Sequence, residues 1–231
     1  MKKIFYILAI AAILVSCTEE NLEEPATTNY SVKISREFLS PEEFTPLSDN
    51  VLVTLNVGNA LYTEKTDPLL TARFNDIKPG NATVTIDYEG FSQVKYVVNI
   101  VDKESQSSTV SVIPCEGKYA ATLSGYLTAD GKPVKQAINV IITPQDTIRN
   151  LVKHSGKGAL SSVYVEGLTR KVVEVNNGKF TVTMPATSYG IHYNIVADDF
   201  VDNDTQAIHT YPGESITLYS GKKSVIEIKY E

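Results

Sequence analysis

Apolar side chains in this chain fall mostly at every second position. Tyr30, Val32 and Ile34 alternate with polar neighbours, as do Val51, Val53, Leu55 and Val57. That is the period of strands buried on one face. Pro79-Gly80 marks a turn, because proline fixes φ and glycine accepts positive φ. A strand with Val84, Ile86 and Tyr88 follows it, then runs at 94–101 and 109–113. The segment 36–50, with Pro41, Pro46 and a Glu-Glu pair, reads as loop. Nothing between Tyr30 and Ile113 carries a helical period.

A second unit starts near Lys118. Tyr119, Ala121 and Leu123 alternate, and Asp130-Gly131 is a strong hairpin signal. Residues 137–143 are apolar enough for a buried strand. The spacing of Ile148, Leu151 and Val152 predicts a short helix over 144–154. Alternation then resumes at Val163-Val165, Val173-Val175, Phe180-Val182-Met184, Tyr193-Ile195-Ala197, Ile216-Leu218 and Ile226-Ile228-Tyr230. The two units also echo each other. Phe74, Pro79, the strand of Val84 and Ile86, and Phe91 are answered by Phe180, Pro185, the strand of Tyr193 and Ile195, and Phe200. The fold class expected is all-β: two tandem immunoglobulin-like β-sandwiches, at 30–115 and 118–231, the second with an insertion near 144–177.

The exception to this alternation is the start. Lys2 and Lys3 precede a continuous apolar run over 4–15, closed by Ser16 and Cys17. These are the three regions of a secretory signal, and about a dozen residues are too few to span a bilayer as a helix. Leu14-Val15-Ser16-Cys17 resembles the lipobox of bacterial lipoproteins. The resemblance implies removal of residues 1–16 and acylation of Cys17, leaving 17–29 as an acidic tether. Glu19 and Glu20, just behind Cys17, resemble the signal that sends Bacteroidetes lipoproteins to the outer face of the outer membrane. Cell-surface display is therefore the expectation, with the periplasmic face as the alternative.

Charge narrows the partners. The chain carries 21 basic and 27 acidic side chains, a net of −6; losing Lys2 and Lys3 with the signal leaves 19 against 27, a net of −8. A surface of that sign does not suit nucleic acid. Membrane attachment has to come from the lipid on Cys17. With Cys17 acylated, Cys115 has no partner in the chain. It reads as a small buried filler, or as a reactive thiol or intermolecular bridge.

The stretch from Gly125 to Ile142 resembles the opening of the carboxypeptidase regulatory-like domain, through Gly125, Asp130, Gly131, Pro133, Ala137 and Val140. Residues 178–186 resemble a later strand of that domain. Residues 191–201 correspond to another, with Asp199-Phe200 where the family has Gly-Tyr. The resemblance covers most of 118–231 and, loosely, 51–101. It implies a prealbumin-like sandwich of about seven strands, of the non-catalytic kind attached to secreted peptidases, glycan importers and adhesins.

Candidate chemistry is sparse. His154, His192 and His209 have no metal-ligand spacing. Gly156-Lys157-Gly158 lacks the flanks of a phosphate cradle and reads as a flexible loop. Asp198, Asp199, Asp202 and Asp204 form the densest oxygen cluster. It is either a weak Ca²⁺ site, without the order of an EF-hand, or a solvated acidic turn. Asp146-Thr147-Ile148 resembles the Bacteroidetes O-glycosylation sequon, which makes Thr147 a candidate site. Tyr189, His192, Tyr193 and Tyr211 could supply an aromatic platform for a glycan. The expectation is no enzyme, but a membrane-anchored binding or structural module, adhesin-like or accessory to an envelope complex. The alternative is a glycan-binding accessory lipoprotein of a nutrient uptake system.

Overall fold

The computed structural model describes residues 27–39, 50–145 and 148–231. Cys17, the signal and most of the tether, and Thr147 lie outside them. Within them the protein is all-β. The first seven strands are β1 (Thr28–Ser35), β2 (Leu52–Val57), β3 (Ala60–Lys65), β4 (Thr71–Ile77), β5 (Gly80–Asp87), β6 (Val94–Ile100) and β7 (Gln106–Ser111). After a 3₁₀ turn at Gly117–Tyr119 come β8 (Ala121–Ala129), β9 (Lys132–Pro133) and β10 (Ile138–Pro144). Next are β11 (Val152–Ser155), β12 (Leu160–Val165), β13 (Lys171–Val175), β14 (Lys179–Met184) and β15 (Ile191–Ala197). The chain ends with β16 (Phe200–Val201), β17 (Ile208–His209), β18 (Glu214–Leu218) and β19 (Lys223–Tyr230).

Period-two alternation places the core. In β6, Val94, Tyr96, Val98 and Ile100 are buried, and Lys95 and Asn99 are exposed. In β15, Ile191, Tyr193, Ile195 and Ala197 are buried, and His192 and Val196 are exposed. Each face so formed closes against a second sheet, which is how a sandwich makes its core. Asp130 and Gly131 both adopt positive φ, and the two-residue turn they make joins β8 to β9.

The two units share one topology. In the first, one sheet runs β7-β1-β4 and the other β6-β5-β2-β3; in the second, they run β19-β8-β14 and β18-β15-β10-β13. The first strand of each unit lies parallel to its last, β1 with β7 and β8 with β19. It lies antiparallel to the strand on its other side, β4 or β14. The sequence echo of Phe74 and Phe180 marks equivalent strands: β4 and β14 each cross to the facing sheet, to enter β5 and β15.

One departure from this symmetry ties the units together. Between β2 and β3 the first unit has a tight turn at Gly58-Asn59, whereas the second inserts 145–170 at the equivalent place, between β10 and β13. The inserted segment, a split hairpin whose two strands pair with different sheets and not with each other, does not stay with its own sandwich. Its strand β11 pairs antiparallel with β7, at the edge of one sheet of the first unit, and β12 pairs antiparallel with β6, at the edge of the other. The predicted helix over 144–154 is not formed. Ile148–Leu151 makes a 3₁₀ turn and Val152–Ser155 is a strand. Pairing with β7 satisfies backbone groups that a short isolated helix would leave open at its ends.

Candidate functional site

The hairpin seats through contacts at each stage of its path. Lys153 Nζ lies 2.8 Å from Glu37 Oε2, and Lys157 pairs with Glu104. At the tip, the Asn99 amide donates to the Ala159 carbonyl at 2.9 Å. A Cβ on Gly156 would run into Gln106, and one on Gly158 into the Asn99 carbonyl. The Gly-Lys-Gly motif, read from sequence as a flexible loop, is thus a close backbone contact that any side chain would obstruct. Val152 and Val165 are buried against the first unit's core.

His154 joins a chain of buried polar groups. Its Nδ1 is 3.2 Å from Ser108 Oγ, which lies 2.6 Å from Tyr30 Oη, itself 3.1 Å from Tyr96 Oη. The imidazole also stacks on the Tyr30 ring, 6.3 Å between centroids. Burial pushes His154 below the ordinary histidine range and raises Tyr30 and Tyr96 above the usual phenol. This serine–histidine contact is structural. Ser108 is fully enclosed, so no substrate could reach the hydroxyl, and among the described residues no ion pair orients the ring.

A cleft of about 540 Å³ lies where the units meet. The β5–β6 loop supplies Tyr88 and Glu89, the linker Cys115 and Glu116, and the β12–β13 turn Glu166 and Arg170. Tyr88 leans on Phe91, with ring centroids 5.6 Å apart. Cys115 is a free, partly buried thiol. Burial pushes its pKa up and the carboxylates of Glu116 and Glu166 add to this, against a contact from Ser92. A thiol so held stays protonated at neutral pH and is a poor nucleophile. The cleft therefore offers recognition: an aromatic wall, carboxylates and a guanidinium around a concave space.

The residues singled out for glycan binding are not brought together. Tyr193 is fully buried and donates to the Pro185 carbonyl at 2.7 Å. His192, the next residue, points to the other face of β15, with Nδ1 2.7 Å from Thr217 Oγ1. Tyr189 stands exposed beyond the start of β15, lining a second cleft of about 220 Å³ with Phe38, Leu151 and Ile191. Tyr211 packs on Tyr230 beyond the far end of that strand, where the Tyr230 hydroxyl donates to the Asp198 carbonyl. Burial, then Glu214, raises Tyr211 to about 12. A seven-residue strand of about 20 Å separates the two ends.

Nor do the aspartates converge. Asp198 Oδ2 accepts from Asn139 Nδ2 at 2.9 Å, and Asp202 Oδ1 caps its own loop through the amides of Asp204 and Thr205. Those amide bonds hold Asp202 below the usual carboxylate range. Among the described residues, no group of three or more histidines, cysteines or acids is placed to hold a metal ion. Asp199 and Asp204 are exposed, which is the arrangement of a solvated acidic turn.

No protein-family model and no curated protein matches the chain. Solved structures give distant likenesses. The TIE protein of Bacillus anthracis shares 10% identity at a TM-score of 0.34, over 89% of this chain and 34% of its own. The minor pilin of Streptococcus agalactiae shares 11% at 0.35, over 88% and 95%. A streptococcal ancillary pilin shares 13% at 0.38, over 90% and 63%. The chain thus spans about a third of the first of these proteins and just under two thirds of the third. The sandwich assignment rests on the strand pairing and core described above.

Proposed function

We propose that this protein is a lipid-anchored, non-catalytic display module, held at the outer membrane through Cys17 and presenting its two sandwiches as an adhesin-like or envelope-complex surface. The observation that carries the reading is the hairpin exchange, in which one unit completes both sheets of its neighbour. That splice suits a part that must hold its shape at the end of a tether, and it uses the inserted residues for attachment between units rather than for a lid over a reacting group. The enclosed Ser108–His154 contact and the protonated Cys115 thiol support the same side. Cys17→Ala should move the protein from the membrane to the soluble fraction, and protease added to intact cells should remove the wild-type protein. Retention of Cys17→Ala at the membrane defeats the anchor, and protection from protease moves the display to the periplasmic face.

The inter-unit cleft favours a second reading, a glycan-binding accessory of an uptake system. Tyr88 would lie against the apolar face of a sugar, with Glu89 and Arg170 reaching its hydroxyls. On a glycan array the wild-type protein should then bind a defined set of sugars, and Tyr88→Ala should lose about tenfold or more in affinity. An array without binding, or binding indifferent to Tyr88, removes this reading.

A further inference from the structure

The hairpin that joins the units carries one histidine among its strand residues, and that histidine is the only one of them in the buried polar chain of the first unit. Four elements meet there. Ser108 comes from β7 and Tyr30 from β1; Tyr96 comes from β6, and His154 from the inserted β11. Nδ1 of His154 has Ser108, but Nε2 is buried without a protein partner. Gln106 Oε1, beside Gly158 of the hairpin tip, is likewise buried without one. The neutral ring leaves one polar atom unsatisfied. A protonated ring would place a charge and a second N–H donor in the same enclosure, facing two phenols and a serine.

None of the ion pairs among the described residues involves His154. On its own strand the nearest charge is Lys153, and Lys157 follows in the tip. Both are cations, paired with Glu37 and Glu104 and not with the ring. Among the described residues no ion pair therefore compensates protonation, and the cost of charging a half-buried ring whose Nε2 is enclosed falls on the contact between hairpin and sandwich.

We infer that the β11–β12 hairpin is a pH-released latch: at neutral pH it covers one edge of each sheet of the first unit, and protonation of His154 in mild acid frees it, uncovering the β6 and β7 edges. Release is local. It detaches two short edge strands and leaves the paired strands of both sandwiches in place. What it uncovers is a row of backbone donors and acceptors on each sheet of the first unit, beside the Tyr30–Tyr96 pair.

The sign follows from linkage. A histidine half-buried in its neutral form has its folded-state pKa depressed, as partial burial does here. The unfolded or detached state then binds more protons below about pH 6.5, the unperturbed value. The latch is fully held above that value and weakens as pH falls through it toward the lower, folded-state value. The depressed carboxylates Asp67 and Asp202 act in a more acidic range, because they lose their contributions only as pH falls from their ordinary value of 3.8 toward their lower folded-state values.

Hydrogen exchange on the whole protein tests this, comparing about pH 7.5 with about pH 5.5 after correction for the intrinsic rate. Amides of 152–155 and 160–165 should exchange at least about tenfold faster in acid, while the β8–β14 pair keeps its protection. His154→Gln, which keeps a hydrogen-bonding side chain without the charge, should abolish the acid effect. So should His154→Phe, which keeps the stack on Tyr30. Either variant serves if the other fails to fold. The inference is overturned if hairpin protection is the same at both pH values. It is equally overturned if a folded variant keeps the acid effect, or if β8–β14 opens together with the hairpin.

Discussion

Gly125 and Phe180 show how much one residue pair can decide. They face each other across β8 and β14, and the Phe180 ring lies directly over the glycine, with Ile226 on the parallel strand beside it. A Cβ at 125 would fall inside van der Waals contact with that ring. Gly125→Ala should therefore cost about 1–3 kcal/mol in chemical denaturation, the range for overpacking a filled core. Phe180→Leu in the same background should recover part of that loss. The sequence marked Gly125 through its likeness to a known domain, and the structure supplies the physical need. The same legibility failed at Tyr193 and Tyr211. A tyrosine reads alike whether its ring faces solvent or core, and only the strand register settled that Tyr193 turns inward while His192 turns out.

At the level of elements, alternation was a sufficient guide wherever a strand has one wet face. β1, β2, β5, β6, β15 and β19 all lie where period two put them. It misled at 148–152, where Ile148, Leu151 and Val152 have helical spacing by coincidence. There Leu151 closes a 3₁₀ turn, and Val152 begins a strand whose partner is over forty residues earlier in the chain. Periodicity is local, so it can mark 160–165 as a strand without saying which sheet receives it. The cleft around Tyr88 and Arg170 was hidden for the same reason, since its walls are loops from both units and carry no motif. Replacing 148–170 with a short glycine-serine linker should leave the second unit folded and destabilise the first. Losing the burial of Val152 and Val165 alone removes about 3–6 kcal/mol. In thermal unfolding this should split one transition into two, the first unit melting earlier; a single unshifted transition would mean that the hairpin is decoration.

For the whole molecule, two copies of one strand order are joined by a hairpin that the second unit donates to the first, although in the sequence they read as merely consecutive. The order of strands within each copy was not readable from the chain, because pairing between distant strands leaves no periodic trace. It has a consequence for how the protein carries load. In each unit the first and last strands run parallel and side by side, through six matched residue pairs in β1–β7 and eight in β8–β19. Their outer ends therefore point in opposite directions along the strand axis. Tension applied across either unit draws these strands past each other and stresses the whole ladder of hydrogen bonds together in shear, instead of unzipping it bond by bond. In the first unit, β11 grips β7 from its other side, so the shorter of the two ladders is the one given a second row of hydrogen bonds.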